Sequence, residues 1–175
     1  MLWNILARTL ARPMVADWLI QKTQRRPYSH IRLKGALYME RYWLFNPYPT
    51  GDDEKRWWKT LLPSIRVHCI RMPDPDLHLH DHPWNVRTFI LRSWYREERE
   101  VQDCPARCRT HFYFRTQGTT ASLKFGEFHR IVGVPDDGVW TLFITWKKRG
   151  TWGFKVDDKK VPWREYLGIK GETNE

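Results

Sequence analysis

Apolar positions recur at helical spacing over residues 2 to 12, where Leu2, Ile5, Leu6 and Leu10 form one stripe and Arg8 and Arg12 lie elsewhere on the wheel. Pro13 breaks or restarts this helix, and Val15 to Gln24 carry a second turn or two before Arg25-Arg26-Pro27 ends the run. A basic, Trp-bearing helix of this kind can lie on an anionic membrane surface. The expectation is that it packs its stripe on its own domain. Further along the chain the period changes. Leu37 to Phe45, rich in Tyr, Trp and Phe, predicts a strand, and Asn46 to Asp53 an irregular polar loop. In the next strand Ile65, Val67 and Cys69 alternate with Arg66, His68 and Ile70, and Met72-Pro73-Asp74-Pro75-Asp76 stops it. Strand-like runs follow near 86–95, 109–115, 120–125, 128–132, 139–146 and 151–156, most of them separated by turn signals such as Gln117-Gly118 and Arg149-Gly150. Short strands at this spacing predict a mainly all-β sandwich or barrel. The expected organisation is one domain over 1–175, with a helical segment, 1–26, packed on a barrel spanning 36–166.

Composition agrees with this reading. Eleven Trp, eleven Pro and ten Gly suit half-buried sheets joined by turns, and 175 residues suffice for one core. The net charge of +10 raises the prospect of an anionic partner. The basic residues are scattered, however, so a generally basic surface is favoured over dedicated nucleic-acid binding. Cys69, Cys104 and Cys108 are odd in number and give no disulfide framework; Cys104 and Cys108 could be half of a metal site, but reduced cysteines in a cytoplasmic protein are the simpler account. No run of apolar residues is long enough to span a membrane, and the first twenty residues do not make a convincing signal peptide.

The chemistry concentrates in Leu77-His78-Leu79-His80-Asp81-His82-Pro83-Trp84. Histidines at every second position of an extended chain share a face, and neutral imidazoles so placed can converge on one Fe, Zn, Ni or Cu ion. About fifty residues on, Phe125-Gly126-Glu127-Phe128-His129 reads as a strand entered through a turn glycine, with Glu127 and His129 on one face. Alone, His129 would be a hydrogen-bonded structural residue. With the earlier cluster, His80, His82 and His129 form a candidate metal site. His78 can be exposed or stand behind a ligand, and Asp81, between two ligands, should face away from them. Pro83-Trp84 would fix the chain and cover the site.

A His-x-His, a strand, and a later strand carrying His resemble the cupin superfamily over roughly residues 65 to 156. More narrowly, His80-Asp81-His82-Pro83-Trp84, Thr88 to Leu91, Tyr95, Glu97, His129-Arg130, Trp140 to Leu142, Trp152 to Phe154 and Pro162 to Tyr166 are similar to a group of small bacterial and phage cupin-like proteins. The resemblance implies a double-stranded β-helix, a jelly-roll barrel, with a metal inside one end. It brings no particular reaction. The pattern departs from the usual cupin motif, which places a Glu five residues after its second His: counted from His82 that position is Arg87, and from His80 it is Asn85. A three-His site, resembling the cysteine-dioxygenase-like branch, is therefore expected. Glu127 is a candidate fourth ligand or acid–base group, or equally a surface carboxylate. Arg87, if it points inward, is a candidate fork for a substrate carboxylate or phosphate, with Arg92 nearby.

Two functions follow as expectations. One is a divalent-metal enzyme, foremost an Fe(II) dioxygenase of a small anionic molecule, with Zn, Ni or Mn as other metals. The other is a non-catalytic binding module with a basic surface and a structural metal or none. A metal-dependent isomerase or hydrolase is a third possibility, since fold does not fix function, and a homodimer is compatible with the resemblance.

Overall fold

The computed structural model describes residues 1–47, 61–101 and 110–169. Cys104, Cys108 and most of the loop expected at 46–53 lie outside the described residues.

Two helices open the chain, α1 (Leu2–Leu10) and α2 (Pro13–Gln24). Pro13 restarts the helix rather than ending it. It occupies the first turn of α2, where its missing N–H costs nothing, and Arg12 precedes it in extended conformation. The strands β1 (Pro27–Leu33), β2 (Ala36–Phe45), β3 (Ser64–Ile70), β4 (Val86–Arg92), β7 (Thr120–Leu123) and β9 (Val139–Thr145) form an antiparallel sheet in the order β1-β2-β3-β9-β4-β7. A second sheet has the order β6-β5-β8, from β5 (Trp94–Glu100), β6 (Thr110–Thr116) and β8 (His129–Gly133). A hairpin of β10 (Gly153–Val156) and β11 (Lys159–Pro162) leads into the short helix α3 (Trp163–Tyr166). The barrel sheet thus begins at Pro27, ahead of the boundary expected at 36. The run expected over 86–95 is two strands: Ser93, with a φ of 74°, turns the chain from one sheet into the other.

The six-stranded sheet has two different faces. Val67, Phe89, Leu91 and Leu142 form one core with Ala7, Ala16, Leu19 and Ile20 of the helices. On the opposite face Ile70, Ile90 and Val139 meet Tyr95 and Ile131 of the second sheet. That face also carries Arg66, His68, Thr88, Thr141 and Phe143, which line a cavity of about 450 Å³ between the sheets. Pleating explains the division, because successive side chains of a strand go to opposite faces. One face is covered by helices, and the other lines the cavity.

Candidate metal centre

Backbone pairing brings the histidines together. The chain at His80 inserts as a single bridge between β8 and β10. The N–H of His80 donates to the His129 carbonyl and the N–H of His129 to the His80 carbonyl, both at 2.8 Å. Residues paired in this way project to the same side, and the two imidazole centroids are 4.9 Å apart. His82, two residues on, turns to the same side, 5.3 Å from the His80 ring and 5.0 Å from that of His129. Ring nitrogens of His80, His82 and His129 all lie within 4.8 Å of one another, close enough for one metal ion to be held by all three. Asp81 points the other way, as its place in the alternation requires. It is fully buried, accepts from the Gly153 N–H at 2.8 Å and pairs with Lys160, tying the ligand loop to the β10–β11 hairpin.

Glu97 of β5 stands behind His129, its Oε1 2.8 Å from His129 Nδ1. With the Nδ1 proton donated to this carboxylate, His129 presents the lone pair of Nε2 to the cluster. Burial alone would raise the Glu97 pKa. The His129 hydrogen bond, and the charges of His129, Arg99 and Arg115, outweigh burial and bring it down to about 2. Arg115 Nε donates to Oε2 at 2.9 Å, whereas Arg99 Nε, at the same distance from Oε1, makes an ion pair without hydrogen-bond alignment. On the other side, Asp74 lies 3.8 Å from His80 Nδ1. It is held by the Tyr38 hydroxyl and by the Ile131 N–H at 2.6 Å.

The donor set fits a divalent ion. Burial lowers the His80 pKa to about 4 against the pull of Asp74, and holds that of His82 well below its ordinary value, with help from His129 and His80. Neutral imidazoles are the form that ligates. The Nε2 atoms of His82 and His129 are 2.9 Å apart. Two nitrogens at about 2.1 Å from one ion and at right angles to each other would be about 3.0 Å apart.

The cavity wall facing the histidines carries residues that strand alternation alone does not mark as functional. Arg66 is buried among the rings of Trp43, Trp84 and Phe143, its guanidinium carbon 5.3–5.6 Å from their centroids. His68 is 6 % exposed, and its Nε2 has no hydrogen-bond partner among the described residues. Burial, then the charges of Arg66 and Arg41, hold it neutral. Phe143 lies between the two groups, 4.9 Å from the His68 ring and 5.8 Å from that of His82. Trp152, Phe154 and Trp163 complete the apolar lining beside His80.

Other residues singled out by sequence lie elsewhere. Arg87 shares its strand face with Phe89, as expected, but that face meets α1. Its guanidinium stacks 4.6 Å above the Trp3 ring and is not part of the cavity wall. Arg92 pairs with Asp17 of α2. Glu127 accepts from the Lys124 N–H at 2.9 Å in the turn before β8, outside the three-histidine group. His78 contacts the Tyr166 hydroxyl at 3.0 Å. Glu97, by contrast, is drawn into the site. In the sequence it stood out only as one of the residues that carry the family resemblance.

No family model matches this chain, and no curated protein matches it in sequence. Solved structures do match in fold. The oxalate decarboxylase of Lactobacillus farciminis, solved as a formate complex, aligns with 87 % of this chain and 37 % of its own at 9 % identity and a TM-score of 0.52. The Bacillus subtilis oxalate decarboxylase studied for its Mn(II) centres aligns with 85 % of this chain and 33 % of its own, at 11 % identity and 0.51. Fe(II) HppE aligns over 70 % of this chain and 57 % of its own at 10 % identity, with a TM-score of only 0.49. The chain thus spans about a third of the decarboxylases. The likeness is one of fold alone: a jelly-roll β-barrel.

Proposed function

We propose that this protein is a non-haem metal enzyme, an Fe(II)-dependent oxygenase of a small anionic molecule. The observation that carries the reading is the convergence of His80, His82 and His129 in the lining of a cavity of about 450 Å³. That volume is in the range of small-molecule sites. An ion bound by three neutral imidazoles keeps its full charge and open positions, and supplies Lewis acidity and, as iron, redox chemistry with oxygen. The Mn(II) of the bacterial decarboxylase that shares the fold makes manganese the second choice.

The chain's own residues prepare the site. Glu97 holds His129 in the tautomer that ligates. Arg66 and His68 give the wall opposite the three histidines an anion-binding character. Phe143 supports the body of a substrate lying between the two, and Trp152, Phe154 and Trp163 keep water from it.

The test is metal content after anaerobic purification without a His tag, in the wild type and in His80→Ala, His82→Ala and His129→Ala. Near-stoichiometric iron in the wild type, lost in each variant, is the expected result, with oxygen uptake then screened against small carboxylates. A folded wild type that takes up no transition metal even on reconstitution overturns the enzyme reading and leaves a binding module. Metal without oxygen uptake for any acid would leave the metal site standing and refute the oxygenase.

A further inference from the structure

The helices rest on the barrel by one side each, with Trp3 of α1 against Phe89 and Leu19 and Ile20 of α2 in the core. Ala7 is buried, as is Ala11 just past the end of α1, and Leu10 is partly covered. At 3.6 residues per turn, Leu2 and Ile5 project to the side away from Ala7 and Leu6 to its flank, and Leu2 and Ile5 remain 74 % and 56 % exposed. Of the stripe expected to enter the core, Leu10 packs against it, whereas Leu2 and Ile5 face outward. Helix α2 repeats the pattern: Ala16, Leu19, Ile20 and Thr23 are buried, while Met14, Trp18, Lys22 and Arg25 run along the opposite face, with Met14 86 % and Trp18 59 % exposed. Both helices pack on the same face of the six-stranded sheet, so their outer sides form one surface. Bulky side chains held in water forgo the stabilisation that burial would provide.

The charge around this surface narrows the occupant. Residues 1–26 contain the cations Arg8, Arg12, Lys22, Arg25 and Arg26 against the single acid Asp17, which is engaged by Arg92. A second copy docked through a two-fold axis would set these cations against themselves. A nucleic acid would satisfy the charges and leave Leu2, Ile5, Met14 and Trp18 unexplained. An anionic lipid surface satisfies both: apolar side chains enter the boundary between headgroups and acyl chains, Trp18 sits at headgroup level, and the cations meet phosphates.

We propose that the outer face of the α1–α2 pair docks this protein on anionic membrane surfaces. The helices do not cross the bilayer, for no described helix is long and apolar enough. They lie in its surface. The cavity is on the opposite face of the sheet, so docking leaves the three-histidine site on the side away from lipid.

Flotation of the full-length protein with phosphatidylcholine vesicles, with and without phosphatidylglycerol, tests the proposal. The protein should float only with the anionic vesicles and be largely released at about 1 M salt. The variant Ile5→Ser/Leu6→Ser/Met14→Ser/Trp18→Ser, altered only at exposed positions, should lose about tenfold or more in vesicle affinity with an unchanged melting temperature. Arg25→Glu/Arg26→Glu should lose binding through charge alone. His80→Ala should float like the wild type, which separates this surface from the metal site. Failure to float with anionic vesicles, or flotation indifferent to both surface variants, overturns the proposal. So does a concentration-dependent dimer in light scattering that the apolar variant abolishes, which would assign the face to a second copy.

Discussion

At the scale of single residues, the site depends on which nitrogen of each imidazole carries the proton. Glu97 decides this for His129, and its own charge is secured by Arg99 and Arg115. Glu97→Gln keeps the shape but removes the charge and weakens the hold on the tautomer. Metal affinity measured by chelator competition should fall about 10- to 100-fold, while His80, His82 and His129 stay in place. His68 makes a pH prediction. Burial puts its pKa well below the ordinary 6.5, so the unfolded chain takes up a proton before the folded one. Its contribution to stability is complete above about pH 6.5 and is lost as the pH falls below that value. The urea midpoint of the metal-free protein should therefore drop between about pH 7 and pH 5. In His68→Phe, which keeps the ring contact with Phe143, the drop should be shallower; an identical slope would show that His68 is not held neutral. The three clustered histidines were legible in the sequence because two-residue spacing and an isolated strand histidine are local patterns. Glu97 was legible only as part of a resemblance, since nothing local separates it from Glu98 and Glu100 beside it.

At the scale of elements, the centre is held by the bridge of His80 between β8 and the β10–β11 hairpin. Gly153 shows how tight that hairpin is: a Cβ placed there would lie 2.3 Å from the Val161 carbonyl oxygen. Gly153→Ala must part β10 from β11 and disturb the N–H that anchors Asp81. Chemical denaturation should show a loss of about 1–3 kcal/mol, together with weaker metal binding. Strand β3 shows the limit of reading alternation. Arg66 and His68 occupy the polar half of a regular strand, a pattern normally taken for a solvent face. Here the polar half lines the cavity, because helices cover the apolar half at Val67. Arg87 is the converse case: its kinship with Phe89 placed it correctly, and the face they share lies under α1.

At the scale of the whole molecule, the helices seal one face of the barrel. A chain begun at Pro27 would expose Val67, Phe89, Leu91 and Leu142, which are buried against them. Fully exposing side chains of this size costs about 1.5–3 kcal/mol each, so the truncated protein should aggregate or fail to show a cooperative melt. If it melts like the full chain, the helices contribute no core. The sequence by itself determined the helical start, most of the strands, the barrel class and the three ligand candidates, because periods of 3.6 and two residues and the spacing of histidines are written in neighbouring positions. Only the tertiary structure decided which face of each strand is the inside. It brought Glu97 behind His129 and Arg66 and His68 opposite the three histidines, turned Arg87 away, and left Leu2 and Ile5 of α1 in solvent. Those outcomes depend on contacts between distant segments, and alternation marks two faces of a strand without saying what will cover either one.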